Sequence, residues 1–341
     1  MVGQMIIVGF RGDGINKDTD DFVTLINQIK NNQIGGVILF DTSTSKLLKN
    51  ISNADYSNIK NVAQLKDLTT YLQSLSKTKL LIAIDQEGGT VQRLKSEHGF
   101  ISVPSAKEMG TSLPENTYNI AYNLGIKLSE IGINTNFAPV VDMGTSKDET
   151  ERSFSDDANK VTEHAGAFAH GMNDASVIHS FKHFPGYNGN ATTAHYTLVD
   201  ITNTYTDYEL KPWKALLQKP FDLSMVMTSH SINTNIDSVP LSLSPKTIKK
   251  IKDLGFNGVI ITDDLDMLLR YNQYDIKTIV KMAINAGNDI LLFNNRNFQY
   301  DKNRGVKINQ IITEMVKSGE IPASRIKESY RKIQKLKKHI K

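Results

Sequence analysis

The chain has 341 residues, 39% of them hydrophobic, and a formal net charge of +4. That length can bury a large core, as one big α/β barrel or as two ordinary domains. The small charge, with no dense Lys/Arg run interleaved with aromatics, argues against nucleic-acid binding, and the absence of cysteine removes disulfides, thiolate metal sites and a Cys nucleophile.

Short apolar, β-branched runs alternate with longer amphipathic ones along the chain. The first strand is predicted at 5–10, almost at the start. No signal peptide is visible in the sequence. This abrupt start, with heavy Asn, Lys and Ile usage, leans the expectation towards an exported or envelope-associated protein whose signal has been removed, over a cytoplasmic one. A helix at 20–31 and a strand at 36–40 follow. The polar stretch 41–60, rich in Ser, Asn and Lys, reads as a long surface loop with no core role. Helices at 62–75, 116–131, 157–173, 207–217, 245–254 and 276–286 then alternate with strands at 80–85, 135–140, 177–184, 224–229, 258–262 and 289–293. Two further helices are predicted at 305–317 and 323–339. In the last, Ile326, Tyr330, Ile333, Leu336 and Ile340 recur at helical spacing under a solvated basic face. No run approaches the ~18 apolar residues of a transmembrane helix.

Most of these strands are near-continuous hydrophobic strings, the pattern of a parallel sheet covered on both faces. Eight of them separated by helices predict one α/β domain over 1–341, a (β/α)₈ TIM barrel. An open doubly wound sheet is the alternative, and it needs no pairing between first and last strands.

In a barrel, chemistry sits where strands end and βα loops begin. The third strand ends in Asp85, followed by Gly88-Gly89. An ionised carboxylate there can accept from two adjacent sugar hydroxyls, or it can simply cap a turn. The fifth strand carries Lys182-His183 in an apolar context, costly unless used or paired. Alternate strand residues face opposite sides, so both can point inward only if the strand is irregular. Pro185-Gly186 ends it, and the segment after it carries His195. The sixth strand ends in Thr228-Ser229-His230, the seventh in Thr262-Asp263-Asp264. One carboxylate of that pair can face the mouth while the other caps the following helix. No His/Asp/Glu set has metal spacing and no glycine-rich phosphate loop is present, so neither metal nor cofactor is expected.

Taken together, residues 2–10, IDQEGGTVQRL at 84–94, GINTNFAPVVD at 132–142, ERSF at 151–154, KHFPG at 182–186, ITDDLDM at 261–267, NAGNDILL at 285–292 and the segment 325–337 resemble family 3 glycoside hydrolases, specifically their single-domain β-N-acetylglucosaminidases. They occur in family order across nearly the whole chain. The resemblance implies a retaining mechanism through a covalent glycosyl-enzyme, with Asp263 as nucleophile and Asp85, Arg93, Arg152, Lys182 and His183 gripping a terminal N-acetylglucosamine. It implies an N-acetylglucosamine-containing glycan as substrate, cell-wall-derived or related; a monomer is the separate expectation for its assembly.

The sequence departs from the family at one place. The general acid/base there is a His preceded two residues earlier by an Asp. Here the element reads Thr193-Ala194-His195, and the family's His-Gly-Asp after KHFPG reads Tyr187-Asn188-Gly189. A carboxylate beside a His orients it and favours the imidazolium that donates a proton, and general acid help is worth ~10²–10⁴-fold. Three outcomes stay open: His195 works without its partner, another carboxylate such as Asp200 replaces it, or the chain binds sugar without turnover. Transfer to phosphate is a fourth, since losing a negative charge eases approach of an anion.

Overall fold

The computed structural model describes residues 1–15, 19–41, 57–144, 151–187, 197–270, 274–296 and 300–340. Eight parallel strands form the centre: β1 Ile6–Gly9, β2 Gly36–Leu39, β3 Leu81–Ile84, β4 Thr135–Asn136, β5 Ile178–Phe184, β6 Ser224–Thr228, β7 Val259–Asp264 and β8 Ile290–Phe293. Each pairs with its sequence neighbours, and β1 pairs with β8 through Ile6–Leu291, Ile7–Leu292 and Val8–Phe293. That closure rules out the open sheet. The strands are buried on both faces almost throughout, because side chains of both parities face either the barrel interior or the helix layer.

Around them lie α1 Asp20–Lys30, α2 Val62–Leu75, α3 Pro114–Glu130, α4 Ala158–Asp174, α5 Leu210–Leu216, α6 Pro245–Asp253, α7 Ile276–Ala286, α8 Arg304–Lys317 and α9 Ala323–Lys337. Their starts follow local chemistry. Asn61, Asp157, Ser244 and Asp275 each accept backbone N–H groups at a helix N-cap, and Pro occupies the first turn of α3 and α6, where its missing N–H costs nothing. None of the described helices is long and apolar enough to cross a membrane.

Three elements differ from expectation. β4 is two residues long instead of six, because Pro139 has no N–H to give the ladder; beyond it the carbonyls of Ala138 and Pro139 still accept from Ser180 N and Lys182 N of β5, and Val140 bridges Lys182. The predicted helix 207–217 begins as a 3₁₀ turn at Asp207–Glu209 before α5. The stretch 41–60 does have a core role at its end, although 42–56 lies outside the described residues. Asn58 is fully buried, accepts from Phe40 N at 3.0 Å and donates to Phe10 O and Gly12 O, tying the ends of β1 and β2 together.

The C-terminal helix docks as its spacing predicts, with Ile326, Ile333, Leu336 and the following Ile340 buried and Tyr330 half-buried. Its polar anchor is the buried Asp289 at the foot of β8, which receives Arg325 at 2.5 Å, Ser329 at 2.8 Å and Lys332 at 3.3 Å. This end of the barrel is structural. The predicted site residues lie at the opposite end.

Candidate active site

The first part of the site is a chain of alternating charges. Asp85 follows β3 directly, and Gln86–Gly88 turns back as a short ribbon against Val91–Gln92. Gly88 sits at φ 104° with Pro104 O only 2.1 Å from where a Cβ would be, so this turn needs glycine. The Gln86 side chain accepts from Arg93 N at 2.8 Å and Leu94 N at 3.0 Å, which fixes Arg93 beside Asp85. Arg93 reaches Asp85 at 3.6 Å. Lys182 Nζ bridges Asp85 at 2.8 Å and Glu87 at 2.6 Å. Glu87 in turn takes Arg152 in two bonds, Nε at 2.9 Å and the terminal nitrogen at 2.8 Å.

The electrostatics of this chain follow from that pairing. Burial pushes the Glu87 carboxyl up, but Arg152 and Lys182 outweigh it and hold it far below the usual range. Burial pulls Lys182 and Arg152 down, and the carboxylates more than compensate. All three groups therefore stay charged in a nearly dry place. Asp85 is the more open carboxylate, its side chain 18% exposed against 4% for Glu87.

β5 is irregular where two neighbouring side chains must both be used. Its pairing with β6 shifts register between Phe181 and Phe184, and the Lys182–His183 peptide is cis. Both side chains reach carboxylates at the mouth. His183 is gripped twice by Asp142: its backbone N at 3.1 Å and its Nδ1 at 2.6 Å. An ionised carboxylate only accepts, so Nδ1 carries the proton and Nε2 is left for another partner.

Asp263 lies near the end of β7. Its Oδ1 accepts from Asp264 N at 2.7 Å, and its Oδ2 faces the Tyr187 hydroxyl at 3.5 Å. Burial would raise its carboxyl, but His183, the Asp264 amide and Lys182 hold it below the usual value. Asp264 goes the other way. Burial, then the neighbouring Asp266, pushes it well above its ordinary value. It accepts Asp266 N at 3.1 Å and Asn294 N at 2.8 Å, so it caps the short helix Asp266–Arg270 and ties it to β8. The two adjacent carboxylates thus divide as expected: one at the mouth, one a structural acceptor.

His230 supports this loop from behind. Its Nε2 meets Asp264 O at 2.8 Å, so that nitrogen donates, and its Nδ1 accepts from Ser242 at 2.7 Å. Burial lowers its pKa, consistent with a neutral imidazole.

The structure brings together Asp85, Arg93, Arg152, Lys182, His183 and Asp263. His195, with Thr193 and Ala194, lies outside the described residues. Asp200 uses its carboxylate to accept Thr202 N at 2.8 Å in an exposed turn. Sequence reasoning missed Glu87, Asp142, Tyr187 and His230 as site residues. Glu87 had a signal: two residues after Asp85, it falls on the same side of an extended chain.

Residues 1–336 match the glycosyl hydrolase family 3 N terminal domain. The chain belongs to that family. Among family 3 relatives, the β-hexosaminidase of Nitrosomonas eutropha is 30% identical over 282 residues, 79% of this chain and 76% of its own. A β-N-acetylglucosaminidase of this family from a Paenibacillus species is 29% identical with a TM-score of 0.83, over 99% of this chain and 61% of that one. This chain therefore spans about three fifths of that longer protein. The β-N-acetylhexosaminidase of Beutenbergia cavernae is 25% identical with a TM-score of 0.83 and is covered over 97% of its length. One barrel domain is thus nearly the whole of one solved relative.

Proposed function

We propose that this glycoside hydrolase is an exo-acting, retaining β-N-acetylglucosaminidase that removes terminal β-linked N-acetylglucosamine from cell-wall-derived or related glycans. The observation that carries the reading is the placing of one ionised carboxylate, Asp263, beside a dense sugar-sized set of donors and acceptors at the barrel mouth.

In the first step Asp263 attacks the anomeric carbon and forms a glycosyl ester. The glycosidic oxygen leaves with a proton from His195. In the second step water gives a proton to His195 and attacks the same carbon, which frees Asp263 and the sugar. Asp85 accepts from ring hydroxyls, while Lys182, Arg93 and Arg152 donate, and Nε2 of His183 adds a further contact. These groups are held by one another before substrate arrives, so little side-chain entropy is lost on binding.

Release of the aryl group from an aryl β-N-acetylglucosaminide tests the reading. The wild type turns over and Asp263→Ala falls by at least about a thousandfold, the loss expected when a covalent nucleophile is removed. Equal release by both proteins would sink it. The Thr193-Ala194-His195 sequence favours a second reading, a sugar-binding homologue with weak turnover. Thr193→Asp distinguishes the two: a rise in turnover with a natural leaving group means that the missing carboxylate limits an active enzyme.

A further inference from the structure

Tyr187 stands where the family carries a different residue, immediately after Pro185-Gly186 at the end of β5. It is 2% exposed and packs with Val199, Ile201 and Leu241. Its ring meets that of His183 edge-on at 5.1 Å. The decisive feature is its hydroxyl. A phenol has one proton to give and lone pairs to receive. The His230 backbone N–H can only donate, and it does so to the Tyr187 oxygen at 3.2 Å. That leaves the phenolic proton for another acceptor, and Asp263 Oδ2 lies 3.5 Å away. The distance is long for such a bond, and catalytic contacts of this kind commonly tighten once substrate is bound.

We propose that Tyr187 is a positioning residue acting through Asp263: its hydroxyl, fixed by the His230 amide, donates to Oδ2, holds the carboxylate for attack and stabilises it as it leaves the sugar. The inference rests on Asp263 being the nucleophile. Three observations support it. The Asp264 amide already holds Oδ1 at 2.7 Å, so a donor at Oδ2 completes the orientation of the carboxylate plane. Burial, and then the charge of Asp263, keeps the phenol's pKa well above its usual value, so the group stays a donor at every working pH. The position is also wrong for a general acid. At 3.5 Å from Asp263, Tyr187 is on the nucleophile's side, whereas the acid of a retaining pair stands about 5–5.5 Å off, across the bond being cleaved.

A donor to an anionic carboxylate is strongest when the carboxylate is free and weakest in the ester. Its loss therefore acts mainly on the second step, where the carboxylate departs. The test is Tyr187→Phe, which keeps the ring and removes the oxygen. With a dinitrophenyl N-acetylglucosaminide, whose leaving group needs no proton, breakdown of the ester limits kcat. The expected result is a fall of about tenfold in kcat with KM falling alongside, and an acid limb of kcat/KM moved up by about one pH unit, since a lost hydrogen bond to the charged form raises a carboxyl pKa. Unchanged kcat and an unmoved acid limb would overturn the proposal. The ¹³C carboxyl titration of Asp263, assigned with Asp263→Asn, gives a second readout free of turnover. An upward shift in Tyr187→Phe supports the contact, and no shift refutes it. A wild type that releases no aryl group defeats the hydrolase reading, and the carboxyl titration then decides Tyr187 independently.

Discussion

Glu87 is the residue on which the charge network turns, and Glu87→Gln probes it with little change of shape. Its carboxylate sits between Arg152 and Lys182, with side-chain exposures of 4%, 12% and 3%. Lys182 keeps Asp85 in the variant, but Arg152 keeps only one of its two bonds, and an amide NH₂ faces a cation in either orientation. Breaking a buried pair from one side costs about 3–5 kcal/mol. With unfolding entropy of about 2.1 cal/mol/K per residue over 341 residues, that is a fall in Tm of about 4–7 °C. The pH dependence has a definite sign. The Glu87 carboxyl is depressed on folding, so its contribution is present above its unfolded value of 4.5 and is lost as pH falls below it. The gap between wild type and variant is therefore widest at neutral pH and narrows in acid. Calorimetry from pH 3 to 8 reads this directly. KM for an aryl N-acetylglucosaminide should rise about tenfold with a smaller change in kcat, because on the proposed function Lys182 and Arg152 grip the sugar in ground and transition states alike. A variant with wild-type Tm and KM would refute the network as the organiser of the grip.

Two further predictions concern buried titratable groups away from the mouth. His179 in β5 is fully buried against Phe181 and Phe221, with neither ring nitrogen hydrogen-bonded among the described residues, and burial lowers its pKa to about 3. His179→Phe removes the stranded polar atoms and should raise Tm by about 1–4 °C, from about 1–3 kcal/mol of desolvation relieved. It should also abolish a loss of stability that the wild type shows as pH falls from 6.5 towards 3, where only the unfolded chain takes up the proton; a lower Tm would contradict this. Lys337 in α9 donates to Gln4 Oε1 and Gly35 O, both at 2.8 Å, and burial lowers its pKa to about 7. The unfolded chain holds that proton up to 10.5, so wild-type stability climbs between about pH 7 and 10.5, and Lys337→Met should flatten the climb; parallel stability curves would count against it.

The barrel was legible because buried parallel strands write themselves as apolar strings, and eight such strings survive the loops between them. Closure was not in the pattern itself; it needed Ile6–Val8 to meet Leu291–Phe293 across almost the whole chain. The short β4 was readable in principle from Pro139, which cannot feed a ladder. Lys182 and His183 were singled out as a costly pair demanding irregularity, and β5 supplies it. Their partners were hidden for a different reason. Asp142 lies 41 residues from His183, and Glu87 lies 65 from Arg152, so no local spacing joins them. Glu87 and Asp142 both stood inside recognised motifs, but a motif says which residues occur, not which hold which. Tyr187 read only as a departure from the family; its meaning came from the Asp263 oxygen and the His230 amide facing it.

The central claim is a covalent bond between sugar and Asp263. It is tested most directly by incubating the protein with a 5-fluoro N-acetylglucosaminyl fluoride, which forms the ester quickly and releases it slowly, then measuring the intact and peptide masses. The account predicts one added fluoro-sugar on the peptide containing Asp263, and none in Asp263→Ala. Turnover without any adduct, or an adduct on another residue, would contradict it.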